Sequence, residues 1–381
     1  CDKLFLSQKY RFSGLVEACS VKTSTFARMK RTTFRKIRWT LLAVCLLYVL
    51  GCRWIPGWGE GYATCLYPTL AAGLSAVASL FPFSLEEIWV VTVVLWLLGY
   101  PLYAHIRKRE KGRTIIRREI EVLLAVYGWF YLGWGNNYYR QDFFRRSQTE
   151  RVAYDEQQFR DFLTMYADSL NASYLPSVHF SADSLEHEMK ALYAQVPSRF
   201  GLSNPRDWQH PKRVLFNSLY SGVGVLGYMG PFFAESQLNA ELLPVQYPFT
   251  YIHEYAHLLG VSNEAEANFW AYQLCIRSAS PAVRYSGYFG LLPYVAVNAA
   301  SVLSESDYRD FLATIRPEVL GQWEEKSKYW GERYSPLVGA VQRKMYDWFL
   351  KGNKISEGHK NYAQVVEMVL ALPSDWWKVK R

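Results

Sequence analysis

Residues 248–272 read PFTYIHEYAHLLGVSNEAEANFWAY and contain the pattern HExxH at positions 253–257. Side chains four residues apart lie on the same face of a helix, so His253 and His257 can converge on one metal ion. Pro248 suits the first turn of a helix, and Gly260 suits the residue just past its end. The stretch therefore predicts one short helix that brings two imidazoles to a common site.

The residue after the first histidine, Glu254, gives the pattern its chemistry. A zinc ion bound by two imidazoles lowers the pKa of its water towards about 7 and polarises a carbonyl group. A carboxylate beside the ion can take the proton of that water as a general base, and it can later protonate the leaving amine. The sequence thus predicts Zn²⁺ as the cofactor and Glu254 as the catalytic residue of an amide or peptide hydrolase.

A third protein ligand is expected just downstream, because catalytic zinc sites use three protein ligands and one water. Asn263 is a good N-cap for the helix EAEANFWAYQLC, and a glutamate three residues later completes a capping box. This role favours a structural function for Glu266 and leaves Glu264 freer to bind zinc. We predict the ligand set His253, His257 and Glu264, with Glu266 as the alternative third ligand.

Upstream of this stretch the chain contains three segments that are long and apolar enough to cross a bilayer. We place these spans at residues 39–56, 88–105 and 120–139. A basic tail, residues 1–38, precedes them, and a domain of soluble composition, residues 150–381, follows. Residues 68–83, PTLAAGLSAVASLFPF, could form a fourth span or a helix that lies on the surface, and their many small residues favour the surface helix.

Basic residues indicate which way the spans run. They cluster at residues 30–38, before the first span, and at residues 107–118, between the second and third, and such clusters mark cytoplasmic segments. Three spans then put the C-terminal domain outside the cytoplasm. We expect a multi-pass protein of a bacterial inner membrane, in contact with the lipid bilayer. The formal charge of +9 has the same explanation, and without a nucleic-acid motif we expect no nucleic-acid partner.

A substrate cleft is predicted from the residues before the HExxH helix. Residues 214–233 combine β-forming residues with glycines and predict strands joined by tight turns. The stretch GYMGPFFAESQLNAELLP, residues 227–244, could supply an edge strand that holds an extended peptide by main-chain pairing. Within it, Glu235 and Asn239 could line the cleft or orient a ligand histidine, and the competing interpretation is that they are ordinary polar loop residues.

Three tyrosines are candidate donors to the oxyanion of a hydrolytic transition state. They are Tyr228, Tyr251 and Tyr272. Because the chain has 28 tyrosines, packing in the core is the competing interpretation for each of them.

The residues around the predicted site resemble those of two kinds of protein family. HExxH followed by Glu264-Ala265-Glu266-Ala267-Asn268 resembles the glutamate-type zincins, whose second helix supplies the third ligand in an ExxA(D/N) pattern. Over most of its length, from the apolar spans through residues 227–272 to NYAQVVEMVLAL near the end, the chain is similar to the membrane family called domain of unknown function 3810. The resemblance implies a mainly α (α+β) protein, with a three-helix transmembrane region followed by a zincin-like metallopeptidase domain with a small sheet.

Two functions follow from these patterns. The first is a membrane-anchored zinc metallopeptidase that acts on a peptide or protein substrate at the outer face of the membrane. The alternative is a non-catalytic membrane scaffold or assembly factor that retains a zincin-like fold, with zinc as a structural ion. The intact Glu254 favours the first function, because a structural zinc ion does not need a general base.

Overall fold

The structure is a computed structural model that describes residues 33–151, 155–336, 338–340, 344, 353 and 364–372. Most of the predicted basic tail and part of the similar segment near the C-terminus lie outside these residues. The protein is mostly helical and has one small mixed sheet, which confirms the expected mainly α composition with a little β-structure.

Two long helices carry apolar side chains on their outer surfaces. Helix α1, Thr33–Trp54, and helix α4, Leu85–Ile106, each have 22 residues and are apolar enough to cross a membrane. At 1.5 Å per residue each measures about 33 Å, which matches a hydrocarbon core of about 30 Å. Large side chains such as Leu41 and Leu98 are exposed along both helices. They are the two candidate membrane spans and overlap the first two predicted ones.

The third predicted span, residues 120–139, is wrong. The helix in this region, α5, is Gly112–Gly133, and a 3-10 turn, Gly135–Tyr139, follows it. The helix begins inside the basic segment, and its longest uncharged stretch is residues 122–133, well short of the roughly 20 apolar residues that a span needs. The described residues therefore contain two such helices, not three. The number of apolar helices thus no longer predicts on which side of the membrane the C-terminal domain lies.

Most of residues 68–83 belong to a short helix that contacts the C-terminal domain. Helix α2, Trp58–Gly61, a π-helical turn and helix α3, Tyr67–Ser79, follow one another in this region. The 13 residues of α3 are too few to cross a bilayer. Its first residue, Tyr67, is buried, and its hydroxyl donates a hydrogen bond to the Leu258 carbonyl at 2.7 Å. Helix α3 is therefore not a fourth span, and its first turn packs on the domain.

The C-terminal domain is built from ten helices among the described residues. They are α6 Phe143–Ser147, α7 Glu156–Ser173, α8 Ala182–Tyr193, α9 Asn217–Gly222, α10 Tyr247–Leu258, α11 Glu264–Cys275, α12 Pro281–Val302, α13 Glu305–Thr314, α14 Pro317–Arg333 and α15 Gln364–Ala371. Helix α11 is buried at every residue except Glu264, which is typical of a helix at the centre of a domain. Phe143 of α6 packs on Phe269 of α11, so the core extends upstream of residue 150.

The sheet contains three short strands in the order β1-β3-β2. Strand β3, Glu235–Leu238, pairs in parallel with β1, Lys212–Arg213, and antiparallel with β2, Gly227–Gly230. Strand β2 is therefore an edge strand of this sheet. Of the strands predicted in residues 214–233, only β2 is present, because residues 217–222 form helix α9 and the partner strand lies beyond the turn.

Candidate metal centre

Three ligand atoms from α10 and α11 lie close to one another. The Nε2 atoms of His253 and His257 are 3.1 Å apart, and a Glu264 carboxylate oxygen lies 3.2 Å from the first and 3.6 Å from the second. Zinc binds such atoms at 2.0–2.2 Å in a tetrahedron, which places neighbouring ligand atoms about 3.3 Å apart. The donor set therefore fits a zinc ion in both chemistry and spacing.

The turn between the two helices brings Glu264 to the histidines. Gly260 adopts φ +98°, and the Val261 amide donates to the Ala256 carbonyl at 3.1 Å, which ends α10 in a left-handed residue as predicted. A β-carbon at Gly260 would also approach the Tyr67 ring to 3.2 Å, so this position needs glycine for two reasons. Because the turn is short, the first residue of α11 lies directly across from His257.

Both imidazoles are oriented by acceptors at their other nitrogen. The Nδ1 atom of His253 lies 2.9 Å from the Asn268 Oδ1 atom, and that of His257 lies 2.7 Å from the Val261 carbonyl oxygen. Each Nδ1 can therefore donate its proton to an oxygen, which leaves the Nε2 lone pair for a metal ion. Asn268 belongs to the ExxAN pattern, but only the structure shows that it contacts a histidine.

Replacing Asn268 with leucine is expected to weaken zinc binding about 10–100-fold, the usual cost of losing a partner that orients a metal-bound histidine. The reason is that His253 loses the acceptor for its Nδ1 proton. Competition with a fluorescent zinc chelator measures this affinity. Asn268→Asp keeps an acceptor oxygen and should bind zinc nearly as tightly as the unmodified protein; equal affinity of the leucine variant would contradict the role of Asn268.

The alternative ligand, Glu266, points into the protein and not to the histidines. Its carboxylate forms a buried ion pair with Arg146 and accepts a hydrogen bond from the Trp270 indole at 3.1 Å. The Asn263 side chain accepts from the Glu266 amide at 2.9 Å, as expected for the N-cap of α11. Of the two glutamates, the structure brings only Glu264 together with the histidines.

Opposite charges within the cluster of three candidate ligands stabilise one another. Burial lowers the pKa of His257, but the Glu264 carboxylate, with Glu254 and the Val261 carbonyl, outweighs burial and raises that pKa to about 9. Burial raises the pKa of Glu264, and the two histidines outweigh it and hold that pKa well below its usual range. His257 therefore carries a proton at neutral pH, and binding of a divalent cation would release that proton.

Glu254 stands between the three ligands and strand β2. Its side chain is buried, and burial raises the pKa of its carboxyl group. A β-carbon on Gly227 of β2 would come within 2.8 Å of the Glu254 Cγ atom, so glycine is needed for the strand to pass this close. Glu254, the three ligands and Gly227 line one cavity of about 560 Å³. The candidate base, the candidate metal ligands and an edge strand therefore line the same cavity.

Two residues predicted to lie at the cleft do not line this cavity. Glu235 accepts hydrogen bonds from the backbone amides of Leu85, at 3.2 Å, and Glu86, at 2.9 Å, so it caps the first turn of α4. Asn239 donates to the Ser221 hydroxyl and to the Val225 carbonyl, and thus fixes a loop. Both are structural residues. Their polar side chains serve backbone groups that are remote in sequence, which no local pattern indicates.

Of the three tyrosines predicted as donors, one lines the cavity. Tyr228 lines it, whereas Tyr251 and Tyr272 are buried in the core away from it. Tyr138 and Tyr294 also line it, and nothing in the sequence distinguished them. Burial, with a smaller contribution from nearby Glu264, raises the pKa of both, that of Tyr294 to about 12. Their hydroxyls therefore remain protonated at neutral pH and able to donate.

Comparison with known proteins gives one match. The model of a family described as "Protein of unknown function (DUF3810)" matches residues 62–370, a range that contains α4, the sheet and the three candidate metal ligands. No curated protein matches the chain, and no solved structure does. These comparisons therefore show the family but not a zincin-like fold.

Proposed function

The chain belongs to the DUF3810 family, and from its site we propose that it is a membrane-anchored zinc-dependent metallopeptidase. The observation that carries this proposal is the shared position of three ligand atoms beside a buried carboxylate. His253, His257 and Glu264 supply the ligand set, and Glu254 lies next to them on the cavity side. A purely structural zinc site is usually closed by four protein ligands, whereas three ligands and a cavity suit a catalytic one.

The chain's own groups can carry out amide hydrolysis in this cavity. Zinc, when bound by the three ligands, would acidify water and polarise the carbonyl group of a peptide. The Glu254 carboxylate accepts a proton from the attacking water and transfers it to the nitrogen of the leaving amine. Tyr138 and Tyr294 line the same cavity, and in this proposal their hydroxyls donate to the carbonyl oxygen as negative charge develops on it.

Strand β2 offers a way to orient the peptide. One of its edges pairs with β3, and Gly227, Tyr228 and Met229 of the same strand line the cavity. An extended peptide can add to such an edge by main-chain hydrogen bonds, which bind the backbone irrespective of the side chains. The scissile bond would then lie beside Glu254, which approaches the strand at Gly227.

For the location we propose a multi-pass protein of a bacterial inner membrane, with the C-terminal domain outside the cytoplasm. Helix α1 begins among basic residues and ends where Arg53 donates to the Tyr139 hydroxyl of the domain side. Helix α4 begins at the sheet of the domain and ends at basic residues 107–109. Because basic ends remain in the cytoplasm, both helices favour the same orientation. Helix α5 would then run back beside α1 from the basic segment to the domain, where its Trp129 donates to the Phe232 carbonyl, although α5 is less apolar than the two candidate spans.

Removing the metal is expected to stop hydrolysis. The purified, detergent-solubilised chain should hydrolyse a fluorogenic peptide library, and 1,10-phenanthroline should lower the rate at least about 100-fold, because zinc contributes several kcal/mol of charge stabilisation. Adding zinc after removal of the chelator should restore the rate. The non-chelating isomer 1,7-phenanthroline is the control, and a rate that survives complete loss of zinc would contradict the proposal.

A further inference from the structure

Three large apolar side chains are exposed in the segment of chain that precedes the cavity-lining residue Val223. Leu215, Phe216 and Leu219 are 48%, 48% and 60% exposed, and together we call them the apolar rim. They begin helix α9, or immediately precede it, and the chain then continues into Val223, which lines the cavity. A cluster of exposed apolar side chains on a water-soluble face is unusual and marks an interaction surface.

The apolar rim is attached to the first turn of the candidate span α4. The Glu87 carboxylate of that turn accepts hydrogen bonds from the Leu215 amide at 2.7 Å and from the Phe216 amide at 3.2 Å. Glu87 itself is buried, so the attachment is shielded from water. The rim therefore lies at the level where α4 leaves the domain, beside the exposed Ile88 and Val91 of that helix.

The turn between β2 and β3 is held at the same level. The Phe232 amide donates to the Glu86 carboxylate at 3.0 Å, and the Trp129 indole of α5 donates to the Phe232 carbonyl at 3.1 Å. The Trp89 ring of α4 lies 6.2 Å from that of Phe232 and 6.4 Å from that of Phe233. One end of the edge strand is thus fixed between two helices where α4 meets the domain.

Helix α9, which carries the apolar rim, also contacts the wall of the cavity. Tyr220 of α9 stacks on Tyr228 of β2 with ring centroids 5.1 Å apart, and Tyr228 lines the cavity together with Glu254. Phe130 of α5 lines it as well. The cavity is therefore bordered by the elements that carry the apolar rim and that pack against α4.

We propose that the apolar rim lies in the surface of the lipid bilayer and that the site takes peptide segments held at that surface, such as chain next to a membrane anchor. The lipid bilayer is the occupant that fits, because the rim is continuous with the exposed apolar side of α4, which lipid would cover over its whole length. The substrate class rests on the proposed peptidase function, whereas the position of the rim does not.

Photo-crosslinking tests the position of the rim. We would place p-benzoylphenylalanine at Leu219 in the full chain, reconstituted in vesicles of phosphatidylethanolamine and phosphatidylglycerol that contain a tritiated lipid. Leu95 of α4 is the positive control, and Met165, 56% exposed on α7, is the negative control. Labelled lipid should attach at Leu219 and Leu95 and not at Met165. Attachment at Leu95 alone would overturn the proposal.

Paired substrates test the substrate class. In the same vesicles, a degenerate fluorogenic peptide library that carries an N-terminal palmitoyl chain should be hydrolysed at least about 10-fold faster than the free library, because anchoring raises its concentration near the site. Leu219→Asp should remove this advantage and leave hydrolysis of the free library unchanged, whereas Met165→Asp should change neither.

The outcomes separate this inference from the peptidase proposal. Equal rates for the anchored and free libraries would overturn the inference and leave the peptidase function intact. No hydrolysis of either library by the zinc-loaded protein would overturn the peptidase function and, with it, the substrate class. In that case the crosslinks at Leu219 alone would still decide whether the apolar rim lies in the bilayer.

Discussion

Replacing Glu254 with glutamine is expected to lower the rate of peptide hydrolysis about 10²–10⁴-fold while leaving zinc in place. Glutamine has nearly the same size, so the buried side chain still fits beside β2, but an amide cannot accept the proton of the attacking water. Zinc should remain because the ligand atoms come from His253, His257 and Glu264. The rate constant for hydrolysis and the zinc-to-protein ratio are the two measurements.

A matched control separates loss of chemistry from a general effect of the substitution. Glu305 is exposed on α13 and does not line the cavity, so Glu305→Gln should change neither rate nor zinc content. Hydrolysis by the Glu254→Gln variant at the unmodified rate would rule out Glu254 as the base. If cells also kept the protein's function with Glu254→Gln but lost it with His253→Ala, the alternative of a scaffold with structural zinc would be favoured.

Replacing each of the two glutamates of α11 with glutamine is expected to have a different effect, on zinc affinity in one case and on stability in the other. Glu264→Gln should weaken zinc binding by more than the roughly 10–100-fold that loss of an orienting partner costs, because it removes an anionic ligand itself. Glu266→Gln should keep the zinc affinity but lower the free energy of unfolding by about 3–5 kcal/mol, since it leaves Arg146 buried without its carboxylate. Chelator competition measures the first quantity, and denaturant unfolding in detergent measures the second.

The two variants serve as controls for each other because the residues are two positions apart on one helix. A Glu266→Gln variant that lost zinc while remaining folded would show that the ligand assignment is reversed. A Glu264→Gln variant that bound zinc as tightly as the unmodified protein would remove Glu264 from the ligand set. The expected pattern is loss of metal in one variant and loss of stability in the other.

Sequence reasoning was most informative where the signal is local. Pro248 and Gly260 bracket the HExxH helix, and the capping role of Asn263 favoured Glu264 as the residue beside the histidines, where the structure places it. These features depend on residues within one turn or two of one another. Asn268 and His253 also lie within this stretch, but their contact depends on how α11 packs against α10, which the sequence does not specify.

Contacts between remote segments could not be predicted in the same way. Glu235 caps a helix that begins 150 residues earlier in the chain, as its bond to the Leu85 amide shows. Tyr138 and Tyr294 reach the cavity from two elements that no motif connects. The third span was predicted from the apolar composition of residues 120–139 alone. In the structure Glu121 of that helix pairs with Arg38 and accepts a hydrogen bond from Trp39, both of α1, a contact that composition does not indicate.

X-ray absorption at the zinc edge tests the central claim most directly. The zinc-loaded protein is predicted to contain about one zinc per chain, with two imidazole nitrogens at about 2.0–2.1 Å and carboxylate and water oxygens at about 2.0–2.2 Å. The imidazole signal should be lost in His253→Ala. A protein that retains no zinc, or a spectrum with sulfur ligands at about 2.3 Å that His253→Ala does not change, would contradict a metal centre formed by His253, His257 and Glu264.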